Sequence, residues 1–193
     1  MIWTGTTGGN NRPRSGGPCS QSPSPLASIA DIITLSCFGQ QCILVDQSPE
    51  EAFAAINNVR GWWSENNEGS TDKLGDEWTY RYKDAHRCTM KVTEMAPNKK
   101  VVWLVVDNYF NFTEDKTEWK NTKVVFEIST HGNKTEIRFT HEGLVPAYEC
   151  FDVCSNAWGS YVNGSLRSLI ATGKGRPNPK EPKENQEGPG LLV

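Results

Sequence analysis

Positive charge is not in surplus in this chain: 20 Lys+Arg stand against 23 Asp+Glu in 193 residues, a net charge of -3. Residues 39–172 are more acidic still, with 14 basic and 19 acidic side chains. Binding a phosphate backbone takes a basic face, so nucleic acid is excluded as a partner class. The 6 cysteines, at 19, 37, 42, 88, 150 and 154, include no CxxC and no Cys/His cluster at zinc spacing. No metal and no cofactor is expected. A G-x-S-x-G elbow, a P-loop, a dinucleotide glycine fingerprint and H-E-x-x-H are also missing. The first residues, MIWTGTTGGNNRPR, have no basic stretch leading into an apolar run, so they do not read as a secretory signal. One stretch approaches spanning length, Leu26 to Val45, but Asp31, Gly39, Gln40 and Gln41 interrupt it. No membrane span is expected. A reducing, cytoplasmic setting follows as the default.

Proline is scarce where the fold should be. Eight of the 11 prolines lie within residues 1–28 or 173–193, and the stretch between them carries only Pro49, Pro97 and Pro146. The same stretch holds six of the 7 tryptophans. Polar, Gly- and Pro-rich ends bury too little apolar surface to offset ordering entropy. The expected organisation is a disordered extension over 1–38, one domain over 39–173 and a disordered tail over 174–193.

Within the domain, QCILVD reads as a strand. Ser48-Pro49-Glu50-Glu51 then reads as a helix start, with Ser48 as N-cap, Pro49 in the first turn and Glu51 completing a capping box. That short helix should end near Asn57–Asn58, leaving Trp62 and Trp63 in a loop. Period-two alternation follows. Trp78, Tyr80 and Tyr82 share a face, as do Cys88, Met90 and Val92; Val124, Phe126 and Ile128; and Ile137, Phe139 and His141. Val101 to Val106 is an apolar run around Trp103. Turn residues at Asp84-Ala85-His86, Pro97-Asn98 and His131-Gly132-Asn133 separate these segments, and His86 and His131 are expected to be solvated there. From Ala147 to Thr172 the period changes to 3.6, the stripe of one long amphipathic helix, with Gly173 as its stop. Cys150 and Cys154, one turn apart, are expected as small core residues. The fold class is α+β: an antiparallel sheet, a short helix after the first strand, and a long C-terminal helix.

Three stretches carry a family resemblance. They are VDQSPEEAFAAINNVRGWWS, MKVTEMAPNKKVVWLV and TEIRFTHEGLVPAYECFDVCSNAWGSYVNGSLRSLIATGKGRPNP. Together they resemble the START-like (SRPBCC, helix-grip) superfamily, and within it the branch named after the activator of the 90-kDa heat-shock-protein ATPase. The resemblance implies a curved antiparallel sheet wrapped around the C-terminal helix, with a cavity between them.

Such a cavity, lined by aromatics and a few polar groups, suits a hydrophobic or amphipathic small molecule. The candidate ligand-binding residues are Trp62, Trp63, Trp78, Tyr80, Trp103, His141, Phe151 and Trp158. Trp62 and Trp63, following the first helix, are placed at the cavity mouth. His141 points inward by alternation and is the candidate polar contact, or in an enzyme of cyclase- or hydrolase-like type the general base. The name of the branch suggests a third role, modulating a chaperone ATPase, with a chaperone as partner. Binding of a small hydrophobic molecule is the leading expectation.

Overall fold

A computed structural model describes residues 40–180. The expected extension over 1–38 and the end of the expected tail, 181–193, lie outside the described residues. The chain runs β1 (Gln40–Val45), α1 (Pro49–Asn57), α2 (Val59–Trp62), β2 (Asn67–Gly69), β3 (Glu77–Tyr82), β4 (His86–Ala96), β5 (Lys100–Phe110), β6 (Lys123–His131) and β7 (Lys134–Glu142). A C-terminal helix follows in three contiguous pieces: α3 (Phe151–Gly159), a π-helical stretch (Ser160–Leu166) and α4 (Arg167–Thr172). The strands form one curved antiparallel sheet in the order β1-β7-β6-β5-β4-β3-β2. Consecutive strands pair as hairpins, except that β1 closes on β7. This is the expected α+β helix-grip architecture.

Alternation decides which face of the sheet is covered. Cys88, Met90 and Val92 of β4, Val124, Phe126 and Ile128 of β6, and Ile137, Phe139 and His141 of β7 are all buried. Against them pack Phe151, Cys154, Trp158, Val162, Leu166 and Ile170 of the C-terminal helix. The start of α1 is the expected capping box: Glu51 N donates to Ser48 Oγ (3.2 Å) and Ser48 N donates to a Glu51 carboxylate oxygen (2.8 Å). Gly173 ends α4 in the left-handed region at φ 74°.

Several features depart from the expectations. First, Asn58 does not begin a loop but caps a second helix, its Oδ1 accepting from Gly61 N (3.2 Å). That extra turn rotates both following indoles inward, so Trp62 and Trp63 are 0% and 2% exposed rather than at a cavity mouth. Second, β5 continues past Val106 to Phe110, with register shifts against β4 between Thr89 and Met90 and between Val92 and Glu94. Such bulges allow polar Asp107 and Asn108 into the ladder. Third, His86 is not solvated in the turn; it is partly buried at the first position of β4. Fourth, the long helix starts at Phe151 rather than Ala147. Residues 147–150 form a turn whose amides Glu149 N and Cys150 N donate to the Glu118 carboxylate (2.7 and 3.0 Å).

Residues 174–180, expected in the tail, return along the domain as a strap. Asn178 N donates to Trp63 O (2.9 Å), and Glu65 N donates to Asn178 O (2.9 Å). Arg176 N donates to Ser165 Oγ (2.7 Å). A side chain at Gly175 would place its Cβ 2.1 Å from Gly61 O, so the strap docks this closely only with glycine there.

Candidate functional site

At one end of the grip, the sheet and helix part to leave a cavity of about 410 Å³. Tyr80 and Tyr82 of β3, His86 of β4 and Phe110 of β5 form the sheet side. Val153, Cys154, Ala157 and Trp158 of α3 and Tyr161 of the π-helical stretch form the helix side. Phe112 and Trp119, from the segment between β5 and β6, close the end, and Trp63 lies at the base. Three large apolar side chains at this site stay exposed: Tyr82, Phe112 (46%) and Val153 (61%).

Of the expected site residues, Trp63, Tyr80 and Trp158 line this cavity. Trp62, Trp78, Trp103, His141 and Phe151 do not; they belong to the packed core. Trp62 stacks toward Trp103 at 6.4 Å between centroids, and Trp103 meets Trp78 edge-on at 5.3 Å. Trp63 joins the two regions, 4.8 Å from Tyr80 and 4.7 Å from Trp158. Aromatic pairs of this geometry contribute about 0.5–1.5 kcal/mol each beyond their buried area, so the base of the cavity is a stiff wall.

His141 has a structural task. Trp158 Nε1 donates to His141 Nδ1 (3.0 Å), which leaves the proton on Nε2. Nε2 lies 2.8 Å from Thr122 Oγ1, and that hydroxyl donates to Trp119 O (2.5 Å). The relay is complete and directional: indole, imidazole, hydroxyl, carbonyl. It fixes Trp158 and the backbone of Trp119, whose rings stack 5.8 Å apart on the cavity wall. Burial, with a smaller push from His86, lowers the His141 pKa to about 3. With both nitrogens committed, the ring has no lone pair for a substrate proton.

Sequence reasoning missed the end wall. Phe110 and Phe112 alternate in NYFNF and continue the β5 pattern, a signal that was available. Trp119 lies outside any periodic segment and had none. Its segment is held by Glu118, whose carboxylate caps the amides at the start of α3; Cys150, the N-cap residue, supplies no side-chain cap.

The polar groups of the cavity are few. Asn178 of the strap donates from Nδ2 to Tyr161 Oη (2.6 Å) and Tyr80 Oη (3.3 Å), bridging the two phenols. Burial drives the Tyr80 pKa far up, so the phenol stays protonated. Cys88 is likewise raised by burial, and Cys150 by its hydrogen bond to Cys154 and then by burial. These two thiols are not poised as thiolates. Among the described residues no group of three or more His, Cys, Asp or Glu could hold a metal ion, and no helix is long and apolar enough to cross a membrane.

The sequence over residues 47–171 matches the family model described as "Activator of Hsp90 ATPase homolog 1-like protein". The chain belongs to this family. Among solved structures it is similar to the Aha1 dimer from Colwellia psychrerythraea, with 27% identity, a TM-score of 0.57, and coverage of 70% of this chain and 97% of that one. DynU16, a protein from the dynemicin biosynthetic locus, shares the fold at 12% identity and a TM-score of 0.53, over 73% of this chain and half (50%) of its own. MLL2253 from Mesorhizobium loti shares it at 14% identity and a TM-score of 0.53, over 68% and 96%. A search of curated proteins gave no match.

Proposed function

We propose that the protein binds a hydrophobic small molecule in the cavity between β3–β5 and α3. The observation that carries this reading is the cavity itself: about 410 Å³ walled mainly by aromatic and aliphatic side chains, within the size range of small-molecule sites. A ligand burying roughly 250 Å² of apolar surface there gains about 6 kcal/mol. That gain alone corresponds to roughly 40 µM, and association entropy takes back part of it, so affinity from apolar burial alone is expected to be weaker than that. The test is a thermal-shift and tryptophan-quenching screen with small aromatic and lipid probes. Binding should raise Tm and quench Trp63, Trp119 and Trp158. Ala157→Trp fills the cavity from the helix side and should abolish both signals. A screen with no shift and no quenching in the native protein overturns the reading.

A second reading rests on family membership and the exposed Tyr82, Phe112 and Val153. It is modulation of a 90-kDa heat-shock-protein ATPase through this apolar rim. An ATPase assay with and without the protein tests it, and Phe112→Ser with Val153→Ser should remove any stimulation. The enzyme reading with His141 as base has no support in the geometry, since both ring nitrogens are bonded within the core.

A further inference from the structure

Two rings of the cavity wall carry a nitrogen without a partner among the described residues: Trp119 Nε1, a donor that is fully buried, and His86. His86 Nε2 lies 3.0 Å from Asn108 Oδ1. The orientation of that amide is fixed from its other side: Asn108 Nδ2 donates to Lys116 O (3.2 Å), a carbonyl that can only accept. Asn108 Oδ1 therefore faces the imidazole, and because it too can only accept, Nε2 must carry a proton. In the neutral ring Nδ1 is then a bare acceptor. No donor among the described residues meets it.

The surroundings keep the ring neutral. Tyr80 of β3 meets it edge-on at 5.2 Å, Phe110 of β5 lies at 4.3 Å and Trp119 at 4.8 Å. None of these neighbours carries a charge, and burial holds the His86 pKa down at about 4. An apolar cage thus surrounds a cavity-lining imidazole that keeps one unpaired lone pair. The hydroxyls of Tyr80 and Tyr161 differ, because each already accepts from Asn178 and has its own proton to give, and Tyr82 sits on the exposed rim.

We propose that the ligand of this cavity is a hydroxylated hydrophobic molecule, a phenol or an alcohol, whose hydroxyl donates a hydrogen bond to His86 Nδ1. This rests on the cavity reading above and adds the polar group the ligand must bring. Asn108 is the positioning residue that selects the tautomer.

Three probes of nearly one shape separate the possibilities on the native protein: naphthalene, 2-naphthol and 2-methoxynaphthalene. Naphthol has a donor; the methoxy compound has only an acceptor. The expected result by tryptophan quenching is that naphthol binds about 5- to 10-fold tighter than naphthalene, the effect of one net hydrogen bond. Methoxynaphthalene should gain nothing over naphthalene. In His86→Phe the advantage of naphthol should vanish while naphthalene binding persists. If naphthol binds no tighter than naphthalene in the native protein, or methoxynaphthalene matches naphthol, the His86 assignment is overturned and the cavity reading stands. If none of the three binds, the cavity reading itself fails. The native-protein comparison decides the matter even if the His86 variant does not fold.

Discussion

His86 and His141 are two neutral imidazoles inside an aromatic wall, and that has a thermodynamic consequence. Burial lowers their pKa values from 6.5 to about 4 and about 3. Between those values and 6.5, the unfolded chain binds protons that the native state refuses. Their contribution to stability is therefore complete above pH 6.5 and declines as the pH falls through 6.5 toward 4. Each such histidine adds a slope of up to about 1.4 kcal/mol per pH unit. Urea denaturation at pH 7 and pH 5 should show a loss of a few kcal/mol, and His86→Phe should shrink that loss by about half. An unchanged urea midpoint between the two pH values would mean that the rings are accessible to protons. Glu118 is the other residue on which the wall depends. Its two oxygens accept from Glu149 N and Cys150 N, and bonds to a charged acceptor at a helix start contribute about 1.5–3 kcal/mol. Glu118→Leu should cost about that much in equilibrium unfolding. It should also red-shift the fluorescence as Trp119 becomes wetter.

The C-terminal helix explains its own irregularity. Its buried residues Cys154, Trp158, Val162, Leu166 and Ile170 recur every four positions. On an ideal α-helix a four-residue step overshoots one turn by about 40°, so the stripe would wind away from the sheet. The wider turns of the π-helical stretch Ser160–Leu166 counter that drift and keep the stripe facing one way, with Tyr161 directed to the cavity. Within this stretch Gly164 has open space where a Cβ would stand. Gly164→Ala should therefore raise stability by about 0.5–1 kcal/mol, read as a higher Tm. Gly175→Ala should do the opposite. Its Cβ would meet Gly61 O, lift the strap and separate Asn178 from Tyr80 and Tyr161. Faster amide exchange at Glu65 and Asn178 would report the lifted strap.

Over the whole molecule, what was legible in the sequence follows the range of the interaction that decides it. Alternation in WTYRY, CTMKV, VVFEI and IRFTH marked the covered face, Tyr82 at the open end of β3 excepted, because strand geometry alone sends successive side chains to opposite sides. The Ser48–Glu51 box marked the start of α1 for the same local reason. Trp62 and Trp63 were misplaced because a four-residue helix leaves no period to read, and only the fit against Trp103, Phe126 and Trp158 holds it. His86 was misplaced because a turn position looks solvated until Phe110 and Trp119, distant in sequence, fold over it. His141 looked functional for a real reason, its inward direction, but direction does not say whether a partner already waits. Thr122 and Trp158 do, and they come from the segment before β6 and from α3. Periodicity and local capping were enough for the order of the long elements and the buried face of each long strand, though not for α2 or β2, and the three quoted stretches carried the family. The cavity, its end wall at Trp119, and which histidine keeps an unmatched nitrogen were decided only in three dimensions. Each depends on side chains separated by tens of residues coming into contact.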